Sequence, residues 1–585
     1  MTPKQTLDAL RTFVNEEQQA NFAKLNDIWQ KPLAKKLKTG ETQHIASLKI
    51  EDSRHLLATI SEDEGRFREG DMIRLHFGNA ATEAFIYQAT IEAQNDDHWL
   101  IAAKYDANII KQIKEPCYAD EDSMDLTAFF HQALNDIANS ACGRNIILPL
   151  IAGELNADSV CEPSYYDAAD IAEANGLNEK QADAVGKGVA ARHLACIQGP
   201  PGTGKTKVIS LIAKLLVANG ERVLLTSHTH MAINHALNKI AKEAVPTIKV
   251  GHSKSIKGLD TSILRFDHAD DWQERPDDGY VIGATPFATC NERLKDYQFD
   301  TVIFDESSQI TVALALMAMR KAKRFIFVGD HQQLPPVVLS KSVLDKNSYS
   351  VFAKLILNQK NVSTMLDQTY RMNAALSRWP SQQFYQKQLT STGPNKNRQL
   401  DLTVNGTKYD AVFANNTPFI YIKSPGINAR TQNDQEAELV AALITTAIQA
   451  GMAPADIGVV TPYRNQVKTI KNKLAKTQGL FSSKSIVIDT VERMQGQERE
   501  MIILSMCSTD EQFIQSITEF LLQPQRLNVA ITRPMTKLII IGPELSHSTT
   551  LYPQDKRRRA YIDAYHSLLQ HAHHVLIKDE QSWPY

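Results

Sequence analysis

Gly199-Pro200-Pro201-Gly202-Thr203-Gly204-Lys205-Thr206 decides how the rest of this chain is read. The spacing fits G-x-x-x-x-G-K-[ST], a loop whose backbone N–H groups wrap around phosphates. Its flanks suit that reading. Leu194-Ala195-Cys196-Ile197 reads as a short buried strand. Lys207 to Leu216 reads as a helix with Val208, Ile209, Leu211, Ile212, Leu215 and Leu216 on or near one face, and Gly220 suits its stop. A helix N-terminus favours negative charge. Lys205 is thereby set to reach β- and γ-phosphates, and the Thr206 hydroxyl to sit on Mg²⁺.

Downstream, the apolar runs Val223–Thr226, Thr247–Val250, Tyr280–Thr285, Thr301–Phe304 and Arg324–Val328 alternate with helical stretches, which predicts a parallel α/β sheet. The fourth run ends in Asp305-Glu306-Ser307-Ser308-Gln309. A carboxylate at a strand end beside a phosphate loop has a use: Asp305 can hold Mg²⁺ and Glu306 can polarise an attacking water. The fifth run leads into Gly329-Asp330-His331-Gln332-Gln333-Leu334-Pro335-Pro336, where a glutamine is placed to sense a γ-phosphate.

After a junction at about 340 to 365 comes Gln368-Thr369-Tyr370-Arg371-Met372, then a second α/β series. Its elements are Pro418–Ile422, a helix from Gln435 to Ala450, Ile457–Val460, Ser485–Ile488, Met501–Met506, Val529–Ile531 and Lys537–Ile541. This half has no phosphate loop of its own. Its strand ends carry polar clusters: Thr461-Pro462-Tyr463-Arg464-Asn465-Gln466, Asp489 to Glu498, and Arg526 to Pro534. Arginines across a cleft can neutralise charge on a transferred phosphoryl group, and Arg371 and Arg533 are the candidates.

Upstream, Asn178 is a helix N-cap candidate, and the Gln181 amide can pair with both edges of adenine. Short apolar runs from His44 to Ala103, parted by turn-rich pieces, predict a small sheet or barrel between two helical arms. Lys31, Lys35, Lys36 and Lys38, and Lys556-Arg557-Arg558-Arg559 near the C-terminus, read as solvated helix faces.

Composition bounds the rest. The chain has 585 residues, too many for one core, with a formal net charge of −2 that announces no global attraction to polyanions. Its six cysteines form no C-x-x-C pair, which speaks against a zinc or iron–sulfur site and fits a reducing, cytoplasmic setting. No run reaches the length of a membrane span, and the acidic N-terminus is no signal peptide.

The ordered motifs LNEKQ, GPPGTGKT, LLTSHTH, DESSQ, GDHQQLPP, TYRM, TPYRNQ, TVERMQGQE and RLNVAITRP together resemble those of superfamily 1 helicases. Within these, the ladder is similar to that of the superfamily 1B group of the nonsense-mediated-decay and immunoglobulin-mu-binding helicases. The resemblance implies two RecA-like parallel-sheet domains of the P-loop NTPase class, with ATP and Mg²⁺ between them, and a β-barrel-like accessory unit before them. It implies an ATP-dependent helicase or translocase on single-stranded DNA or RNA, travelling 5′ to 3′. The alternative is an ATPase that remodels protein–nucleic-acid complexes without separating strands. A monomer with room for a recruiting protein is expected.

Carried over residue by residue, Gln181 resembles the adenine reader, and Gly199, Pro200, Pro201, Gly202, Thr203, Gly204, Lys205 and Thr206 the phosphate loop. Asp305 and Glu306 resemble the Mg²⁺ ligand and base, and Gln333 the γ-phosphate sensor. Tyr370 resembles the adenine-packing residue, Arg371 and Arg533 the fingers, and Glu498 the ribose or cleft contact. Thr226, Ser227, Thr285, Thr461, Pro462, Tyr463 and Thr490 fall where the family lines its single-strand track. Pro534 follows Arg533 where a small residue is usual, and His228 and His230 stand where smaller residues are common. The expected division is 1–43 helical arm, 44–105 barrel, 106–165 helical stalk, 166–345 and 346–546 the two RecA-like domains, and 547–585 a helical tail.

Overall fold

The computed structural model describes residues 1–61, 67, 70–82, 86–94, 97–103, 117–155, 160–252, 255–340, 349–476, 485–545 and 555–577. Two parallel sheets dominate. The first has eight strands in the order Leu264–Phe266, Thr247–Val250, Tyr280–Gly283, Arg222–Thr226, Thr301–Phe304, Arg324–Gly329, Leu194–Gln198 and Ser363–Met365. Its strands read as continuous apolar runs because both faces are covered, as a parallel sheet requires. Val302 and Phe304 pack into one core, beside the helices Thr127–Asn139 and Val312–Met319. Ile303, between them, packs into the other, beneath Glu179–Ala190, Lys205–Ala218 and His230–Ala241. Phe304 and Phe327 stack at 4.4 Å between centroids across neighbouring strands.

The second sheet has six strands: Val487–Thr490, Ile457–Thr461, Arg499–Ser505, Pro534–Gly542, Phe419–Lys423 and His573–His574. Met501 and Ile503 face one core, and Ile502 and Leu504 the other. The expected strand Val529–Ile531 is instead the end of a helix, Pro524–Ile531, with Pro524 at its first turn, where a missing N–H costs nothing. A three-residue apolar run carries no period to tell the two apart.

The accessory unit is a closed antiparallel barrel in the order Thr42–Ile50, His55–Ile60, His98–Ala103, Tyr87–Gln94, Met72–His76 and Cys117–Glu121. Its last strand lies in the segment expected to be a helical stalk, and it closes the barrel by pairing with both Thr42–Ile45 and Ile73–His76. Beneath it lies a fully buried ion pair, Lys36 Nζ to Asp120 Oδ2 at 2.5 Å, with His76 Nε2 at 3.1 Å and the Thr42 hydroxyl donating to the same carboxylate. Burial opposes ionisation of Asp120, but His76, Lys36 and Thr42 outweigh it and hold the carboxyl below its usual range. Lys36 is therefore no part of a solvated face, and Lys31 pairs with Glu41 at 3.0 Å.

The N-terminal helix Pro3–Gln30 starts on a capping box between Thr2 and Gln5, and its length is about 42 Å. Leu7 and Leu10 enter the first domain's core, whereas Leu25, Ile28 and Trp29 pack with Ala80 of the barrel. It is thus a strut between the two rather than a free arm. Two further borders shift. Ser363–Met365, expected in the second domain, pairs with the phosphate-loop strand of the first sheet. The C-terminal helix Lys556–His571 buries Tyr565 and Leu568 in the second core, and His573–His574 adds an edge strand to that sheet. Among the described residues no helix is long and apolar enough to cross a membrane.

Candidate functional site

The phosphate loop leaves the fully buried strand Leu194–Gln198 and enters the helix Lys205–Ala218 through Gly204 in the left-handed conformation, φ 83°. Its glycines are demanded by close approach. A Cβ on Gly204 would meet Gln181 Nε2 at 2.7 Å, and one on Gly202 (φ 74°) would meet Arg371 Cβ at 2.4 Å. Within the loop, Lys205 Nζ donates to the Gly199 carbonyl at 2.8 Å and the Thr203 hydroxyl to the Pro200 carbonyl at 2.7 Å. Gln181 Nε2 donates to the Thr203 carbonyl at 3.0 Å, and its Oε1 accepts from the Asn178 N–H at 3.1 Å. The Asn178–Gln181 capping box thereby fixes the glutamine on the loop.

The segment after Met365 closes the loop from the other side. Tyr370 N–H donates to the Gly202 carbonyl at 2.8 Å, and the Thr369 hydroxyl to the Pro201 carbonyl at 2.8 Å. The half-exposed Tyr370 ring stands beside Asn178, whose Nδ2 donates to its hydroxyl at 3.0 Å. Tyr370 and Gln181 thus share one rim of the loop.

Asp305 follows the strand Thr301–Phe304, its N–H bonded to the Thr226 carbonyl at 2.9 Å. Burial, then the neighbouring charge of Glu306, pushes its pKa up to about 7, against the pull of Lys205. A buried carboxylate beside a second, partly exposed one calls for a cation, and carboxylate oxygens are the donors Mg²⁺ needs; Thr206 lies on the same loop–helix turn as Lys205. Glu306 sits at φ 49°, a left-handed conformation that costs a side-chain-bearing residue roughly 1 kcal/mol or more. Its carboxylate accepts from Gln495 Nε2 at 3.2 Å, a residue of the second domain. His228 lies near Glu306; burial lowers its pKa and the carboxylate opposes that shift. His230 opens the helix His230–Ala241.

The two arginines converge. Arg371 pairs through Nε with Glu498 at 2.6 Å and donates to the Thr532 carbonyl at 3.1 Å. Arg533 is 2% exposed and donates to the Val529 carbonyl (2.8 Å), the Gln497 carbonyl (3.3 Å) and the Thr532 hydroxyl (3.1 Å). Burial, then Arg371, pushes Arg533 down to about 9, while Glu306 and Glu498 oppose the shift. Pro534 opens the strand Pro534–Gly542 and leaves Arg533 within this cluster. Gln333, buried, donates through Nε2 to Asp330 at 2.9 Å.

The other expected residues line the C-terminal ends of both sheets. Thr226 and Thr461 end their strands, Ser227 and Thr285 follow theirs, and Thr490 ends Val487–Thr490. The buried hydroxyls of Thr226, Ser227 and Thr461 have no hydrogen-bond partner among the described residues. Pro462 and Tyr463 line a groove of ≈ 380 Å³ together with Lys24, Ile28 and Glu121 of the strut and barrel.

Some contributors escaped the sequence reading. Gln495 and Asn528 stood inside quoted motifs but had no assigned role. Glu436 had only its place on a helix. In the structure its buried carboxylate accepts from Ser424, from Ser505 (2.6 Å) and from the Cys507 N–H (2.9 Å). Ser508, next to Cys507, donates to the Tyr463 hydroxyl at 3.0 Å. Glu436 thus underlies the strand ends of the second sheet.

Comparison with known proteins places the chain among relatives of known name. Two family models, each described as an AAA domain, match residues 176–280 with 276–341, and residues 347–545. The DNA replication ATP-dependent helicase/nuclease DNA2 of Bos taurus is 32% identical over 415 residues, 63% of this chain and 38% of that protein. That of Homo sapiens is 30% identical over 64% of this chain and 38% of its own length, and that of Saccharomyces cerevisiae 30% over 65% and 27%. The chain therefore spans well under half the length of these relatives. The solved structure of an arterivirus nonstructural protein 10 helicase overlaps 87% of this chain and 80% of its own at 13% identity, with a TM-score of 0.38. The relatives carry the name DNA2, and the narrower likeness to the nonsense-mediated-decay group rests on the motif ladder alone. Residues 176–341 and 347–545 accordingly match AAA-domain models, and the chain is similar to part of the DNA2 helicase/nucleases.

Proposed function

We propose that this chain is an ATP-driven motor that moves along single-stranded nucleic acid and separates duplex strands. One observation carries the reading: groups from both domains meet at and beside one phosphate loop, Gly202 against Thr369 and Arg371, and Glu306 after the strand Thr301–Phe304 against Gln495. Lys205 exchanges its Gly199 carbonyl for β- and γ-phosphate oxygens. Thr206 and Asp305 hold Mg²⁺, which supplies neutralisation of phosphate charge. Glu306 takes a proton from the attacking water, and Arg371 and Arg533 offset charge on the phosphoryl group. Gln333 senses the γ-phosphate. Tyr370 packs on adenine, Glu498 lies towards the ribose, and Gln181, with hydrogen-bonding capacity left on each end of its amide, reads the base edge.

The strand runs over Thr226, Ser227, Thr285, Thr461, Pro462, Tyr463 and Thr490, whose hydroxyls and backbone amides hold phosphates without reading bases. The orphan hydroxyls of Thr226, Ser227 and Thr461 support this path. Closing and reopening of the two domains with each hydrolysis alternates which of them grips the strand. DNA is favoured over RNA by the relatives' names, and 5′-to-3′ travel by the motif ladder; an intracellular monomer is the simplest form of the motor.

The test is steady-state ATP hydrolysis of the wild type and Lys205→Ala, each alone, with single-stranded DNA and with single-stranded RNA. Strong stimulation by one polymer, lost in Lys205→Ala, is expected. Turnover indifferent to both polymers removes the motor reading. Strand displacement from tailed duplexes then separates unwinding from remodelling and gives polarity.

A further inference from the structure

A buried chain of polar groups joins the two sheets beside the nucleotide loop. Asp330, 1% exposed, follows the strand Arg324–Gly329. Its carboxylate accepts from Gln198 Nε2 at 3.2 Å, the Gln332 N–H at 3.2 Å, Gln333 Nε2 at 2.9 Å and the Tyr385 hydroxyl at 2.7 Å. The first three donors belong to the first domain. Tyr385 belongs to the second, one residue beyond the helix Ala374–Phe384, and is itself 1% exposed. Its oxygen accepts from Asn528 Nδ2 at 2.8 Å, and the same amide group donates to the Gln332 carbonyl at 2.9 Å. Asn528 sits on the helix Pro524–Ile531, which leads directly to Arg533.

This arrangement has a direction. A phenol that both donates and accepts must stay protonated, and burial, with Asp330 beside it, keeps Tyr385 so. Gln333 is held by the NH₂ end of its amide, which fixes that amide's orientation. A shift of the Gln333 loop must therefore pull on Asp330, and Asp330 can yield only by drawing Tyr385 and Asn528 with it or by leaving a buried carboxylate short of a donor. The latter is opposed by the desolvation of an acceptor left unmet in the interior. Packing alone does not explain the contact, because the ring lies in a core with Trp379 and Phe384 that phenylalanine would fill equally well.

Resting on the motor reading above, we propose that Tyr385 is a positioning residue whose hydroxyl ties the γ-phosphate sensor loop of the first domain to the arginine-bearing helix of the second. Gln333 and Arg533 then change position together, and strand binding reaches hydrolysis through that tie.

The 585-residue wild type, Tyr385→Phe, Asp330→Asn and the double variant are assayed for ATP turnover with and without oligo-dT, with Lys205→Ala as the blank and a thermal melt of each. Tyr385→Phe is expected to keep its basal turnover and KM for ATP within about twofold of wild type. Its strand-stimulated kcat is expected to fall about five- to tenfold, the low end of site-to-site coupling. The double variant should be no worse than the weaker single one, because both cut the same link. A stimulated kcat for Tyr385→Phe equal to wild type, or losses that multiply in the double variant, overturns the tie. Should Tyr385→Phe melt early, Asp330→Asn decides by the same split between KM and kcat. If wild type turns over no faster than Lys205→Ala, the motor reading falls and takes the tie with it. If wild type is strand-stimulated and Tyr385→Phe matches it, only the tie falls.

Discussion

The two sheets are alike in topology and opposite in how they finish their strand ends. In the first domain, polar groups at the C-terminal edge are left open: the hydroxyls of Thr226, Ser227 and Ser308 are buried without partners among the described residues, and Asp305 is a desolvated acid beside another acid. In the second, the Thr461 hydroxyl apart, the same edge is knitted shut. Glu436 gathers Ser424, Ser505 and the Cys507 N–H, while Gln466 bridges Asn433 and Ser505. A buried polar group that lacks a partner costs free energy, and a satisfied network rigidifies. The contrast assigns the first edge to ligands that complete it and the second to a platform that is already set.

The largest expected effect lies on the open side. Glu306→Gln keeps the shape and the Gln495 contact but removes the base, so strand-stimulated kcat should fall about 10²- to 10⁴-fold with nucleotide binding retained. Turnover is read by phosphate release and binding by fluorescent-nucleotide titration. Loss of binding together with turnover would place Glu306 in the loop's architecture instead, in keeping with its strained backbone at φ 49°.

The open edge was largely legible in the sequence, and the closed one was not, for a physical reason. Phosphate chemistry dictates residue types at fixed spacing, so Gly199 to Thr206 and Asp305-Glu306 announce themselves in one dimension. Glu436 reads as one more acid on the helix Asp434–Gln449, and only folding brings Ser424, Ser505 and Cys507 to it. Tyr385 gave no signal either, because its partner Asp330 is distant in sequence and in the other domain. The barrel was legible as alternating short runs. Its closing strand Cys117–Glu121 was not, since Tyr118, Asp120 and Glu121 dilute the apolar pattern, and Asp120 is buried only because Lys36 and His76 meet it.

Next in size is a pH effect on the closed side. Burial pushes Glu436 up to about 7 from an ordinary value of 4.5, even though Ser424, Ser505 and the Cys507 N–H favour its charged form. The folded chain then holds this proton over a range where the unfolded chain has lost it. The stability that goes with it is present below about pH 4.5 and is lost as pH rises towards 7. Glu436→Gln cannot titrate. Relative to the variant, wild type should therefore lose about 3 kcal/mol between pH 4.5 and 7.5, read from urea unfolding at each pH. A difference between the two chains that does not vary with pH would mean that Glu436 ionises normally and that the edge is less dry than its contacts imply.

The smallest effects test the contrast most directly, with one methodical pair of serines. Ser505→Ala removes a donor to Glu436 and an acceptor for Gln466, so two buried groups lose a partner and about 1–2 kcal/mol of stability should go. Ser227→Ala removes a hydroxyl that bonds to nothing among the described residues, so its stability should stay within about 0.5 kcal/mol of wild type. Its cost should appear only against a strand, as a several-fold rise in Kd for oligo-dT at fixed salt, the loss of about one net hydrogen bond. If Ser227→Ala is instead the destabilising one, and leaves strand affinity untouched, its hydroxyl serves the fold, and the division into an edge awaiting a ligand and an edge already complete does not hold.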